Sequence, residues 1–233
     1  METLMIGSAE CKLHATAAPA FILIQPTARH EEKGDGLRRE MLMTERDGGC
    51  RFVMAAFDTG DWARALMPWA DSAVSREAEV GRHADDTLHY VTQSLLPWLR
   101  RNYGELPCII GGYSLGGLFA LWTSTQTDAF SSVAAASPSL WIDGWHEHSM
   151  AHPTMAQSVY LSLGDCEEHC RNQRMKLIGD RVREEHLLLR QRLGDDCTTL
   201  EWNSGGHFGQ EAERTARAFA WCMRHGKALQ TKE

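Results

Sequence analysis

Gly112-x-Ser114-x-Gly116 is the arrangement in this chain that could do chemistry, and it lies within Gly111-Gly112-Tyr113-Ser114-Leu115-Gly116-Gly117. A serine hydroxyl is a weak nucleophile at neutral pH. It becomes reactive when a histidine accepts its proton and a carboxylate orients that histidine. A serine between two such glycines is the sequence of a nucleophile elbow, a sharp strand-to-helix turn that thrusts the hydroxyl into a cleft. The glycines are required because a Cβ there would collide with the neighbouring strand or helix as the chain reverses.

In an elbow-type site the partners follow in the order serine, acid, histidine, at the ends of later strands. The run Val159–Leu163 is followed by Gly164-Asp165-Cys166-Glu167-Glu168, and the last strand candidate by Asn203-Ser204-Gly205-Gly206-His207-Phe208. Of eleven histidines, His207 is the one that follows a strand end and a glycine pair, so it is the expected general base. His146, His148 and His152 fall in a polar connection and are expected to be solvated, and His186 sits on a helical stripe as a packing residue. For the acid, Asp165, Glu167 and Glu168 all lie in the right loop; resemblance to hydrolases of this architecture, many of which place the acid three residues after the strand-ending glycine, implies Glu167, with Asp165 as the alternative. The oxyanion needs two preorganised donors. One is expected from the Leu115 N–H and the other from Thr27, because Pro26 beside it has no N–H.

The elements that must hold these residues read as an alternation of strands and helices. Phe21–Ile24, Phe52–Phe57, Cys108–Ile110, Ser132–Ala136, Val159–Leu163 and Thr198–Trp202 are the strand candidates. Most are continuous apolar runs, as expected of parallel strands covered on both faces, whereas the last alternates and suits a sheet edge. The segment from Met5 to Thr16 is a weaker candidate for antiparallel edge strands. Ala84, Leu88, Val91, Leu95 and Trp98 repeat at spacings of four, three, four and three, one face of a helix that Pro97 should kink or end. Met175, Ile178, Val182, His186, Leu189 and Leu193 form a second stripe stopping at Gly194, and Ala212, Ala216, Phe219 and Met223 mark a third. This pattern implies an α/β domain with a mostly parallel sheet.

Composition narrows the partners. A chain of 233 residues with a net charge of −7 is expected to form one domain, residues 1–233, and to bind neither nucleic acid nor an anionic membrane. No apolar run reaches membrane-spanning length and no signal peptide is visible, so a cytoplasmic protein is expected. The seven cysteines read as free thiols. Cys166 and Cys170 bracket His169, but a second ligand pair at zinc spacing is absent, so no metal and no cofactor is expected. Arg29–Asp35 reads as a solvated charged loop. Of the eight tryptophans, Trp62 and Trp141 lie in connections beside the elbow and are candidates for a substrate pocket.

Gly111–Trp122, the downstream Ser137-Pro138-Ser139-Leu140-Trp141 and the late Gly-Gly-His together resemble the α/β-hydrolase esterases of the enterochelin-esterase and esterase-D type, most closely their compact bacterial members. Asp61-Trp62, Pro68-Trp69, the Gly-Asp-x-Glu-Glu loop and Trp-Asn-x-Gly-Gly-His-Phe extend the resemblance over most of the chain from Phe21 onward. The resemblance implies an α/β-hydrolase fold with helices on both faces of the sheet and a serine carboxylic-ester hydrolase acting on a small-molecule ester. It does not fix a substrate, and the cationic substrate-binding residues of the siderophore esterases are not located in this sequence. The connections are too short for a large lid domain. Acyl transfer with the same three residues, and a non-catalytic binding protein on the same fold, are the alternative functions.

Overall fold

The computed structural model describes residues 1–28, 36–75, 80–81 and 83–230, with side chains to residue 225. The charged stretch Arg29–Asp35 lies outside the described residues. Eight strands join one sheet in the order β1-β2-β4-β3-β5-β6-β7-β8. They are β1 Glu2–Ile6, β2 Ala9–Ala15, β3 Phe21–Thr27, β4 Phe52–Asp58, β5 Cys108–Tyr113, β6 Ser132–Ala136, β7 Ser158–Gly164 and β8 Thr198–Asn203. From β4 to β8 every pairing is parallel, while β1 and β2 add an antiparallel edge. The N-terminal segment therefore does form edge strands, and the alternating β8 occupies the opposite edge.

Strand periodicity divides the core. Val53, Ala55 and Phe57 of β4 point into one apolar cluster, and Phe52, Met54 and Ala56 into the other. The second cluster is closed by Met41 of α1 (Gly36–Gly48) and by Phe219 and Met223 of α8 (Glu211–Gln230). The first is closed by α2 (Trp62–Leu66), α3 (Ala84–Tyr90), α4 (Leu96–Tyr103), α5 (Leu115–Gln126), α6 (Trp145–Ala151) and α7 (Ile178–Leu193). With both faces covered, all seven residues of β3 and of β7 are buried. A mostly parallel sheet flanked in this way is the α/β-hydrolase type of fold.

Two expectations need correction. Of the two effects expected at Pro97, a kink or an end, the end is not found: α3 runs through a π-helical turn, Val91–Leu95, into α4, which stops at Gly104 with φ +95°. The wider turn immediately before the proline changes the hydrogen-bond register, so the missing N–H at Pro97 breaks no regular ladder. His148 is not solvated. It is half-buried on α6 against the Trp69 and Trp145 rings, with Nε2 3.0 Å from the Thr125 hydroxyl, and burial pushes its pKa down. His152 stacks on it from the exposed side.

The chain passes from β3 outward to β4 and returns to β5 on the other side of β3. That reversal opens a crevice at the carboxyl ends of β3 and β5, where ligands of open α/β sheets bind.

Candidate active site

Ser114 stands between β5 and α5 with φ +58° and ψ −119°. A non-glycine residue rarely adopts this conformation, which costs of order 1–3 kcal/mol and persists only where its surroundings enforce it. Here the Ser114 N–H donates to the Ala136 carbonyl at 3.1 Å, and its own carbonyl accepts from the N–H groups of Leu118 and Ser139. The glycines are explained by contact. A Cβ on Gly112 would stand 2.9 Å from the Gly116 carbonyl carbon, and one on Gly111 2.7 Å from Ala134 and Phe219. A Cβ on Gly116 would press on Pro26 and the Trp62 ring at 3.2 Å.

The three residues sought around this turn converge. Ser114 Oγ is 3.0 Å from His207 Nε2, and His207 Nδ1 is 2.7 Å from Glu167 Oε2. Glu167 lies on a short 3-10 turn after β7, and His207 on the loop after β8, so neighbouring strands bring the two loops together. Asp165 turns elsewhere: its Oδ1 accepts the Gly205 N–H at 2.8 Å, bracing the histidine loop from below.

Glu167 is buried, and burial alone would raise its pKa. The His207 contact, the Gly164 N–H at 2.8 Å and the Ser137 hydroxyl at 2.8 Å outweigh that and hold it below the usual glutamate value. Oε1 also receives Arg214 Nη1 at 2.9 Å. Tyr113, next to Ser114, donates its hydroxyl to the His207 carbonyl at 2.6 Å and lays its ring against the imidazole. Burial pushes the Tyr113 hydroxyl up to about 12, so it remains a donor.

Four residues in this network were not found by sequence reasoning. Ser137 and Arg214 hold Glu167, Tyr113 holds the His207 loop, and Ser139 places its hydroxyl 3.2 Å from Ser114 Oγ. Ser137 carries a positive φ of 43°, a strain that sequence does not reveal.

Leu115 opens α5, where the first N–H groups have no partner inside the helix and the helix end is partly positive. Thr27 ends β3, buried, with its carbonyl occupied by the Thr59 N–H and hydroxyl. Thr27, Pro26, Trp62 and Tyr113 line a cleft of about 280 Å³ that continues toward Gln25 and Thr215. Trp141 does not share it. It lines a separate cavity of about 300 Å³ with Asp143, Arg174 and Arg181. Arg174 also bridges Asp71 and Asp143, tying together three loops on that side.

All seven cysteines, Cys166 and Cys170 included, are free thiols. Among the described residues no group of three or more His, Cys, Asp or Glu side chains is placed to hold a metal ion, and no helix is long and apolar enough to cross a membrane.

Residues 52–207 match the protein family described as "Putative esterase", a span that contains Ser114, Glu167 and His207. No curated protein matches the chain. Among solved structures, the siderophore hydrolase EstA from Aspergillus nidulans superposes with a TM-score of 0.64 at 16% identity, covering 93% of this chain and 90% of that one. An IroE-like serine hydrolase from Shewanella oneidensis gives 0.70 at 12% identity, covering 93% and 76%. The enterobactin esterase FES from Shigella flexneri, solved in the presence of enterobactin, gives 0.66 at 16% identity, covering 98% of this chain and 60% of its own. At these identities the likeness is one of fold.

Proposed function

We propose, from the premise that this chain belongs to the "Putative esterase" family and is an esterase, that it hydrolyses a small carboxylic ester through an acyl-Ser114 intermediate. The observation that carries this reading is the unbroken hydrogen-bond path from Ser114 Oγ through His207 to Glu167. His207 Nε2 takes the hydroxyl proton as Oγ attacks the ester carbonyl carbon. The oxyanion is received by the Leu115 N–H and by Thr27. Collapse of the tetrahedral intermediate breaks the C–O bond to the alcohol, and His207 returns its proton to that oxygen. Water then attacks the acyl-serine by the same route, releasing the acid and restoring Ser114. Glu167 stays ionised throughout and keeps the Nδ1 proton facing it, so that Nε2 is the basic nitrogen.

Trp62 and Trp141 flank the elbow on two sides in this reading. Trp62 forms the wall of the cleft at β3, and Trp141, two residues beyond Ser139, forms that of the neighbouring cavity. The whole chain acts as one domain without a lid, which suits a small, accessible ester. It needs no cofactor, and the seven free thiols fit a cytoplasmic setting.

A series of p-nitrophenyl esters from acetyl to octanoyl tests the reading. The expected result is highest kcat/KM for the short acyl chains, with Trp62→Ala moving the preference toward longer ones. An unchanged acyl preference in Trp62→Ala would remove Trp62 from the site. Turnover that survives Ser114→Ala would overturn the acyl-serine mechanism.

A further inference from the structure

Arg214 is an arginine with 1% of its surface exposed, and it is not one of the three residues assigned to the chemistry. It stands in the first turns of α8. Its Nη1 reaches the Tyr113 hydroxyl at 3.1 Å, the Ser137 hydroxyl at 3.2 Å and Glu167 Oε1 at 2.9 Å. Its Nη2 donates to the Ser204 carbonyl at 3.1 Å. One guanidinium thus touches the ends of β5, β6, β7 and β8, the four strands whose loops carry the nucleophile, Ser137, the acid and the histidine. The β7 end is closely packed around it: a Cβ on Gly164 would meet the Gly205 carbonyl at 2.3 Å and both terminal nitrogens of Arg214 at 3.0 Å. Its Nε has no partner among the described residues, so the group is held by its far end, where the site lies.

We infer that Arg214 is a positioning residue of the esterase site, fixing Glu167 and the His207 loop while holding a positive charge against the Glu167 carboxylate. The inference rests on the proposed Ser114–His207–Glu167 mechanism. A cation fixed against the Glu167 carboxylate favours its ionised form over its neutral one. The active form is the one with ionised Glu167 and neutral His207. Removing the cation therefore moves loss of activity in acid to higher pH.

Other charges near the pair do not replace it. Glu168 is engaged by Arg183 of α7, and Arg217 of α8 by Asn203 and Glu201. Asp165 is exposed and bound to the Gly205 N–H, while His169 follows on the same loop. Glu211 of α8 accepts the Gly209 N–H, and Tyr113 stays neutral.

The test is the pH profile of kcat/KM for p-nitrophenyl acetate with wild type, Arg214→Met, Arg214→Lys and Ser114→Ala. In Arg214→Met the acid limb is expected to move up by about one pH unit, with an additional loss of about tenfold in plateau kcat. A side chain that only filled space would lower the plateau and leave the limb where it was. That result overturns the inference. Arg214→Lys keeps the charge but cannot span Tyr113, Glu167 and Ser204 together. Its limb is expected within about 0.3 units of wild type, with kcat reduced severalfold. If Arg214→Met fails to fold, Arg214→Gln, which keeps hydrogen-bond donors without the charge, takes its place, and an unmoved acid limb in that variant overturns the inference. Retained turnover in Ser114→Ala is a different outcome, which removes the esterase mechanism and the inference with it.

Discussion

Glu167 and Glu185 are buried to similar depth, at 8% and 5% exposure, yet their carboxyl groups are pushed in opposite directions. Glu185, in the middle of α7, is raised because burial dominates. Its direct donors are the neutral Ser149 hydroxyl and Trp145 Nε1, each at 3.0 Å, and Arg192 and His146 help only from a distance. Glu167 meets the same penalty and is lowered, because His207, a backbone N–H and the Ser137 hydroxyl all favour its charged form. The helix-borne carboxyl fastens α6 to α7 and leads nowhere. The loop-borne one connects to a histidine that is still 24% exposed and reaches the strained serine. Burial of an acid therefore does not identify a functional group. Donors that stabilise its charge, and a hydrogen-bonded path from it to the Ser114 hydroxyl, are what distinguish Glu167.

Glutamine substitution separates the two most sharply. Glu167→Gln turns a donor amide or a poor acceptor toward His207 and should lower kcat by about 10³-fold or more. Glu185→Gln closely mimics a neutral carboxyl and should keep kcat within about twofold of wild type. Steady-state rates with p-nitrophenyl acetate check both, and equal losses would erase the distinction.

The pH dependence of stability sharpens it further. Glu185, raised in the folded state, contributes stability that is complete below its unfolded pKa and is lost as pH rises through the folded value. Glu167, lowered in the folded state, contributes stability that is present above its unfolded pKa and is lost as pH falls through the folded value. Urea midpoints of wild type should fall as pH rises above the ordinary glutamate range, and Glu185→Gln should show a flatter trend there. An identical trend in the variant would contradict the assignment of Glu185 as the raised group. The smallest effect is expected at Asp165, whose carboxylate braces Gly205 but does not touch His207. Asp165→Asn should cost less than about tenfold in kcat, and a loss as large as that of Glu167→Gln would contradict the proposed assignment of Glu167 as the acid.

Much of this arrangement is legible in the sequence. Six apolar runs correspond to β3–β8, because strands buried on both faces leave an uninterrupted signature, and the Gly-x-Ser-x-Gly turn follows one of them directly. The order of Ser114, Glu167 and His207 along the chain could be read because each follows a strand end. What could not be read depends on pairing across long separations. Asp165 and Glu167 share one loop, and only the Gly205 N–H, forty residues on, claims the first and leaves the second to His207. Arg214, among Thr215, Ala216 and Arg217, looks like the polar face of an amphipathic helix; its burial arises from four strand ends meeting over it. The π-helical turn before Pro97 escapes for a related reason, since apolar spacing does not record a one-residue change in hydrogen-bond register.

Covalent labelling tests the central claim most directly. The protein is incubated with a fluorophosphonate and the modified residue located by mass spectrometry, for wild type, Ser114→Ala, Glu167→Gln and Glu185→Gln. The account predicts one phosphonate on Ser114 in wild type and Glu185→Gln, none in Ser114→Ala, and labelling slowed by at least about 10²-fold in Glu167→Gln. An unlabelled Ser114 under conditions that label an ordinary serine esterase, or labelling equally fast in Glu167→Gln, would contradict it.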